Sequence, residues 1–288
     1  MQSCPSAVLV PVDGSAYAER AIEPARKFAA MLNISVGAVQ CVGAEDQDDA
    51  VDDSYLESIT QDRHLTRNQA AEYTDVPAGI LAAAKERNAI ICMSTHGHGR
   101  GEAIMGSHAE EILRRSTESS QAGVVLVGRA YEAESPQRFR SIVVPLDGTS
   151  VNESVCERAA QWAIRCSVAL RFVTVVEETE PSLRADHPYP HRFGPAGDPK
   201  EYIDAVVKRF ERPGLVVTGE VLLDPLSPAS GLEKLLRDGL DSLVIMPTHF
   251  RTGMQRLLHG SHAGDIIDLS PVLVLVYGET AQDKIEQT

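Results

Sequence analysis

The residues of this chain best suited to chemistry lie in one stretch, Thr95-His96-Gly97-His98-Gly99-Arg100-Gly101, closed by Gly106-Ser107-His108. Glycines let the main chain take conformations that other residues resist and bring its N–H groups close to a ligand. A helix starting at Gly106-Ser107 adds unpaired N–H groups and the positive end of its dipole, so the chemistry on offer is the holding of a phosphate. The same stretch offers little for turnover. Arg100 is its only fixed cation, no lysine lies within it, and the G-x-x-x-x-G-K-[ST] pattern of motor-type NTPases is absent. Phosphoryl transfer needs charge stabilisation and usually a metal, which makes this a poor inventory for it. No Ser/His/Asp triad assembles either, because Ser107 and His108 are neighbours at a helix start and point apart. His96, His98 and His108 suggest a metal only weakly, since zinc needs further protein ligands in good geometry. Solvated or packed histidines are the simpler reading.

The elements that must position this loop follow from periodicity. An apolar run, 89–93, leads into it and an amphipathic segment, 107–115, leads out, which is strand, glycine loop, helix. The chain opens with another apolar run, 7–12, as expected of a strand buried on both faces of a parallel sheet. It ends in Asp13-Gly14-Ser15, which turns the chain and caps a helix expected over 16–32. A strand over 34–42 and an acidic run over 45–53 come next. Residues 54–78 show weak helical periodicity and no strand signal, 80–87 reads as a helix, and 124–127 as the last strand of the half.

The second half repeats this plan. Ser141-Ile142-Val143-Val144-Pro145-Leu146-Asp147-Gly148-Thr149 restates the opening, with Asp147 lying 134 positions after Asp13. Helices are expected over 151–165, 202–210 and 232–238, strands over 169–176, 215–222, 242–246 and 272–277, and a proline-rich loop over 177–200. Thr248-His249 restates Thr95-His96 at an offset of 153, and Gly260-Ser261-His262-Ala263 restates Gly106-Ser107-His108-Ala109 at an offset of 154. The chain is a tandem duplication, with domains expected over 1–132 and 139–288. The offsets place 19 extra residues between Asp147 and Thr248, in the proline-rich loop and the strand over 215–222. The third strand of the first half is therefore expected to be missing or much shortened. Alternating strands and helices imply an α/β fold with two doubly wound, open parallel sheets of Rossmann-like type and right-handed crossovers. Ligands in such sheets bind beyond the carboxyl ends of the strands where strand order switches. Asp13 and the loop 94–106 both lie at carboxyl ends and can face one cleft.

Composition bounds the partners. The 288 residues exceed one typical domain, 43% are hydrophobic and 24% charged, and the formal net charge is −14. So acidic a surface opposes non-specific binding to nucleic acid or an anionic membrane. No apolar run approaches the roughly 20 residues of a membrane-spanning helix. The five cysteines are odd in number and without C-x-x-C spacing. No basic-then-apolar leader is evident, and a reducing, cytoplasmic compartment is expected.

Taken together, hydrophobic-strand-P-x-D-G-S/T at each start and the T-H-G … G-S loop with its helix resemble the universal stress protein family, specifically its tandem members. The resemblance covers nearly the whole chain. The ATP-binding branch of that family has a loop G-x-x-G, nine residues, then G followed by Ser or Thr. There the strand-end aspartate contacts the adenosine portion, and the loop glycines with the Ser or Thr hold the phosphates. The resemblance thus implies ATP, with or without magnesium, bound by Pro11, Val12, Asp13, Cys41, Ser94, Gly97, Gly106 and Ser107. Ser94 replaces the first glycine, and the interval from Gly97 to Gly106 is eight residues. Asp147, Gly260 and Ser261 form a weaker set, because Pro247 and Phe250 stand where both leading glycines belong, and Pro has no N–H to offer. Binding is favoured over turnover, with at most very slow ATP hydrolysis and no catalytic residues assigned. The alternative is an interaction module in which both loops are degenerate. A match of Thr95-His96-Gly97-His98 to the T/H-x-G-H signature of nucleotidyltransferases is set aside, since there the signature follows the first strand. In the resembling family, domains pair through their terminal strands. That implies an internal pseudo-dimer through 124–127 and 272–276, with a homodimer of chains as a further arrangement.

Overall fold

The computed structural model describes residues 4–41, 53–62, 65–68, 75–95, 107–118, 123–133, 138–177, 193, 197–248 and 262–278. The acidic run, both loops before the fifth helix of each half, and most of the proline-rich segment lie outside the described residues. So do Gly97, Gly106, Gly260 and Ser261. The first half supplies β1 (Ala7–Pro11), α1 (Ala16–Glu19), α2 (Ile22–Leu32), β2 (Ser35–Val39), α3 (Asp53–Asp62), β3 (Thr66–Asn68), α4 (Val76–Glu86), β4 (Ala89–Ser94), α5 (Ser107–Glu118) and β5 (Val124–Val127). The second supplies β6 (Ser141–Pro145), α6 (Ser150–Glu153), α7 (Cys156–Cys166), β7 (Ala169–Glu177), α8 (Pro199–Phe210), β8 (Val217–Asp224), α9 (Pro228–Asp238), β9 (Ser242–Thr248), α10 (His262–Leu269) and β10 (Val274–Gly278). No helix of the described residues is long and apolar enough to cross a membrane.

All ten strands form one sheet in the order β3-β2-β1-β4-β5-β10-β9-β6-β7-β8. Pairing is parallel within each half, and the halves meet where β10 runs antiparallel to β5, with Leu275 opposite Val125. The continuous apolar runs of β1, β4 and β6 are explained by helices on both faces. Val8 and Val10 pack with Phe28, Leu56 and their neighbours from α2 and α3, while Leu9 packs with Ile80 and Ile112 from α4 and α5. The α/β class and two doubly wound halves read from the sequence are observed.

Three departures from the expected elements are local. The helix expected over 16–32 is two helices, and because the second half breaks likewise with Arg158 at the position of Pro24, the proline accompanies the break without causing it. The chain restarts at Ile22 with Pro24 in the first turn. The break recurs between α6 and α7, and the residue at it, Ala21 or Val155, is buried in both halves. Residues 54–78, read as lacking a strand, hold β3. It is three residues against the eight of β8 and pairs with Gly37, Ala38 and Val39. The expected shortening is thus real, and the strand was missed because three residues carry no periodicity. Finally, α4, α8 and α9 begin earlier than expected. Each starts from a capping Asp75, Asp198 or Ser227 and takes a proline into its first turn, where the missing N–H costs nothing.

Candidate functional site

From β1 the chain winds outward through β2 and β3, then crosses back to lay β4 on the other side of β1. The strand order therefore switches between β1 and β4, the place where open α/β sheets take ligands. Pro11 is half-buried and Val12 buried, and Val12 extends the pairing by donating its N–H to the Val39 carbonyl at 2.8 Å. Asp13 then emerges exposed, its Oδ1 accepting from the Ser15 N–H at 2.9 Å, and Ser15 Oγ accepts from Ala18 N–H at 3.1 Å to cap α1. Gly14 holds this turn at φ +79°, a conformation that side chains resist. A Cβ there would have nothing within 4 Å among the described residues. The turn is held by its own hydrogen bonds.

Beside it, β4 ends in the half-buried Ser94. The next residue, Thr95, is fully buried, its N–H and hydroxyl both directed to the Val127 carbonyl at 3.1 and 3.4 Å. Thr95 therefore anchors the start of the glycine loop to β5. The loop itself lies outside the described residues and returns at Ser107, the exposed first residue of the twelve-residue α5. Connectivity places that helix start on the same side of the sheet as the end of β4. Cys41 is half-buried against the α4 face, and burial pushes its thiol up to about 11, which keeps it neutral and unreactive at pH 7.

Three residues of this cleft were not singled out from the sequence. Tyr55 of α3 lies against Gly14 and donates its hydroxyl to the Glu19 carboxylate at 3.1 Å; burial first, then Glu19, holds that hydroxyl protonated. Gln40, one residue past β2, has a buried Oε1 with no hydrogen-bond partner among the described residues. An orphan buried acceptor costs stability unless something donates to it. The only sequence signals were weak: Glu19 recurs 134 positions on as Glu153, and Gln40 as Thr174, whose buried Oγ1 is likewise unpartnered.

The second half builds the same turn between β6 and β9. Asp147 Oδ1 accepts from the Thr149 N–H at 3.0 Å and from its hydroxyl at 2.6 Å, with Gly148 at φ +82°. Here the ground is taken. A Cβ at Gly148 would meet Phe193 N at 2.6 Å and Phe193 Cδ1 at 2.8 Å. Pro247 sits inside β9.

A strand-end carboxylate turn and a helix opened by a serine suit a polar ligand bearing hydroxyl and phosphate groups. Two fused doubly wound domains, each with a strand-end aspartate at its switch point, define the class of protein. The profile of the universal stress protein family matches residues 6–119 and 138–278, and the chain belongs to that family. Its fold is similar to that of a universal stress protein from Archaeoglobus fulgidus DSM 4304, at 15% identity over 96% of this chain and 97% of that one, with a TM-score of 0.67. A functionally unknown protein from Pseudomonas aeruginosa PAO1 is similar at 16% identity over 98% and 94%, with a TM-score of 0.58. At these identities the likeness is one of fold. Among curated proteins, none is a significant sequence match.

Proposed function

We propose that this member of the family binds an adenine nucleotide, ATP in its favoured form, in its first half, and that occupancy alters the interfaces it presents. The observation that carries the reading is the hydrogen-bonded Asp13-Gly14-Ser15 turn, with Asp13 exposed, at the β1/β4 switch point. Asp13 suits the adenosine portion, with Cys41 facing the base and Pro11 and Val12 beside it, and Ser94, Gly97, Gly106 and Ser107 along the phosphates. Among the described residues no three His, Cys, Asp or Glu side chains form a metal set. A magnesium ion would then ride on the phosphate oxygens, as that hard cation commonly does. ATP holds the loop 94–106 through contacts that AMP lacks, and such a difference in affinity is what shifts a population.

The test is to denature freshly purified protein and resolve the released nucleotides by anion exchange. Near-stoichiometric ATP or ADP is expected. Asp13→Ala should weaken binding at least tenfold, about 1.4 kcal/mol or more, and Gly106→Val should abolish it. An empty supernatant, followed by no heat on titrating ATP with magnesium, would sink the reading. The interaction-module alternative is favoured for the second half alone, where Phe193 covers the turn and Pro247 offers no N–H.

A further inference from the structure

The strand-end turn of the first half leads into α1, which is four residues long and has none of them buried. Its neighbour α3 is docked firmly, because Leu56 and Ile59 are buried in the core with Val8, Val10 and Phe28. The residue before Leu56 is the half-buried Tyr55, whose hydroxyl donates to the Glu19 carboxylate at 3.1 Å. A main-chain hydrogen bond from Gly14 acts on the same hydroxyl oxygen. Glu19 closes α1, and its N–H returns to the Ser15 carbonyl at 3.1 Å. The hydrogen bonds thus run in a ring, from Gly14 through Tyr55 and Glu19 back to Ser15, and α3 is its fixed side.

The second half draws the same ring with one addition. Tyr202 of α8 is hydrogen-bonded to Glu153, which stands 134 positions after Glu19. Arg209 of the same helix donates to Glu153 at 2.5 Å. Seven residues on from Tyr55 stands Asp62, whereas seven on from Tyr202 stands Arg209. A charge pair therefore backs the tyrosine in the second half, and an acid takes that place in the first.

We propose that Tyr55 is a positioning residue for the first-half site, its hydroxyl setting the Asp13 turn where it meets the adenosine portion of a nucleotide. This rests on reading the β1/β4 cleft as a nucleotide site. A hydrogen bond to a carboxylate is stronger than one between neutral groups, and without it α1 keeps only the cap from Ser15. The effect falls on the adenosine portion because Tyr55 acts on the turn after β1, while the phosphate loop departs from β4.

The experiment compares full-length wild type with Tyr55→Phe, Glu19→Ala, Glu19→Gln and Tyr202→Phe, at a temperature where each is folded. ATP and adenosine are titrated calorimetrically, and amide exchange is followed without nucleotide. Tyr55→Phe should weaken ATP and adenosine by the same factor, about fivefold. Glu19→Ala should match it, and the two together should be no worse than either, as expected of groups acting as one unit. Glu19→Gln keeps an acceptor for the hydroxyl and should restore wild-type affinity to within about twofold. A loss of stability alone would lower Tm without this pattern, since the folded chain would bind as before. The Ser15 and Ala18 amides should exchange about tenfold faster in Tyr55→Phe. Those of Thr149 and Asn152 should change less in Tyr202→Phe, where Arg209 still holds Glu153. A wild type that binds neither ligand sinks the cleft reading and this role with it. Wild-type binding that Tyr55→Phe leaves unchanged overturns this role alone, as does unchanged exchange at Ser15 and Ala18.

Discussion

Asp13 and Asp147 stand in the same motif, and spacing alone paired them. That Phe193 lies against the second of these turns was not legible, because it stands in a proline-rich segment with no periodicity to place it. A third aspartate was missed for a similar reason. Asp224 is buried at the end of β8, its Oδ1 accepting from the Leu226 and Ser227 N–H groups at 2.9 and 3.1 Å and its Oδ2 from Lys234 Nζ at 2.7 Å. The Lys234 ammonium foremost, then these N–H groups, hold its carboxyl down to about 2. A folded pKa below the unfolded value of about 3.9 means the contribution is present above pH 4 and is lost as pH falls from 4 towards 2. Urea midpoints measured across that window should fall less steeply for Asp224→Asn than for wild type, and the variant should be less stable at pH 7. Parallel acid limbs would show that Asp224 plays no such part.

At the scale of elements, the described residues on either side of the glycine loop are tied to neighbouring elements. Thr95 fastens its start to β5, and the helix at its end is tied to α4. Asp75 caps α4 by accepting from Ala78 N–H at 2.7 Å, and the same carboxylate takes both of its oxygens to Arg115 Nη1 at 2.8 and 2.9 Å. Arg115 also reaches Glu111 at 2.6 Å within α5. In the sequence Glu111 and Arg115 stand four apart, the spacing of an ordinary helix-surface pair. The partner 40 positions away cannot be seen in spacing, because only the fold brings it there. Asp75→Ala removes a cap and a tie between helices together. It should cost about 1–2 kcal/mol in urea unfolding and loosen amide protection at the start of α5. A loss below about 0.3 kcal/mol would mean that water replaces both contacts. The starts of α4, α8 and α9 were placed late, at the first apolar residue, although a capping Asp or Ser with proline just behind it announces each of them.

For the whole molecule, the pairing of β5 with β10 is reinforced by rings across the two halves. Phe28 of α2, fully buried, lies 5.7 Å from Trp162 of α7, which donates its Nε1–H to the Tyr277 hydroxyl at 2.6 Å. Gly128 lets the chain leave β5 against α10, since a Cβ there would sit 2.1 Å from the Ile267 carbonyl oxygen. Phe28→Ala should cost about 3–5 kcal/mol. Because Trp162 is the sole tryptophan, its emission should also move to the red before the global transition. Loss of stability with unchanged emission would place the damage inside the first half instead. The duplication and the fold class were legible because repeated motifs and apolar runs are local signals. The ring contact was not, although Phe28 and Trp162 stand 134 positions apart and so occupy matching places.

That matching has a consequence for how the two halves can differ. Val125 opposite Leu275 marks the centre of an approximate two-fold axis. In an assembly of two identical chains related by such an axis, every substitution is made twice, and a change that fills one cleft fills the other. Here one continuous chain supplies both sides, so each side changes alone. Phe193 lies against the Gly148 turn, and Pro247 stands in β9 where β4 has Ser94. The joined halves are thereby free to diverge in sequence at matching places while keeping the shared β5–β10 seam.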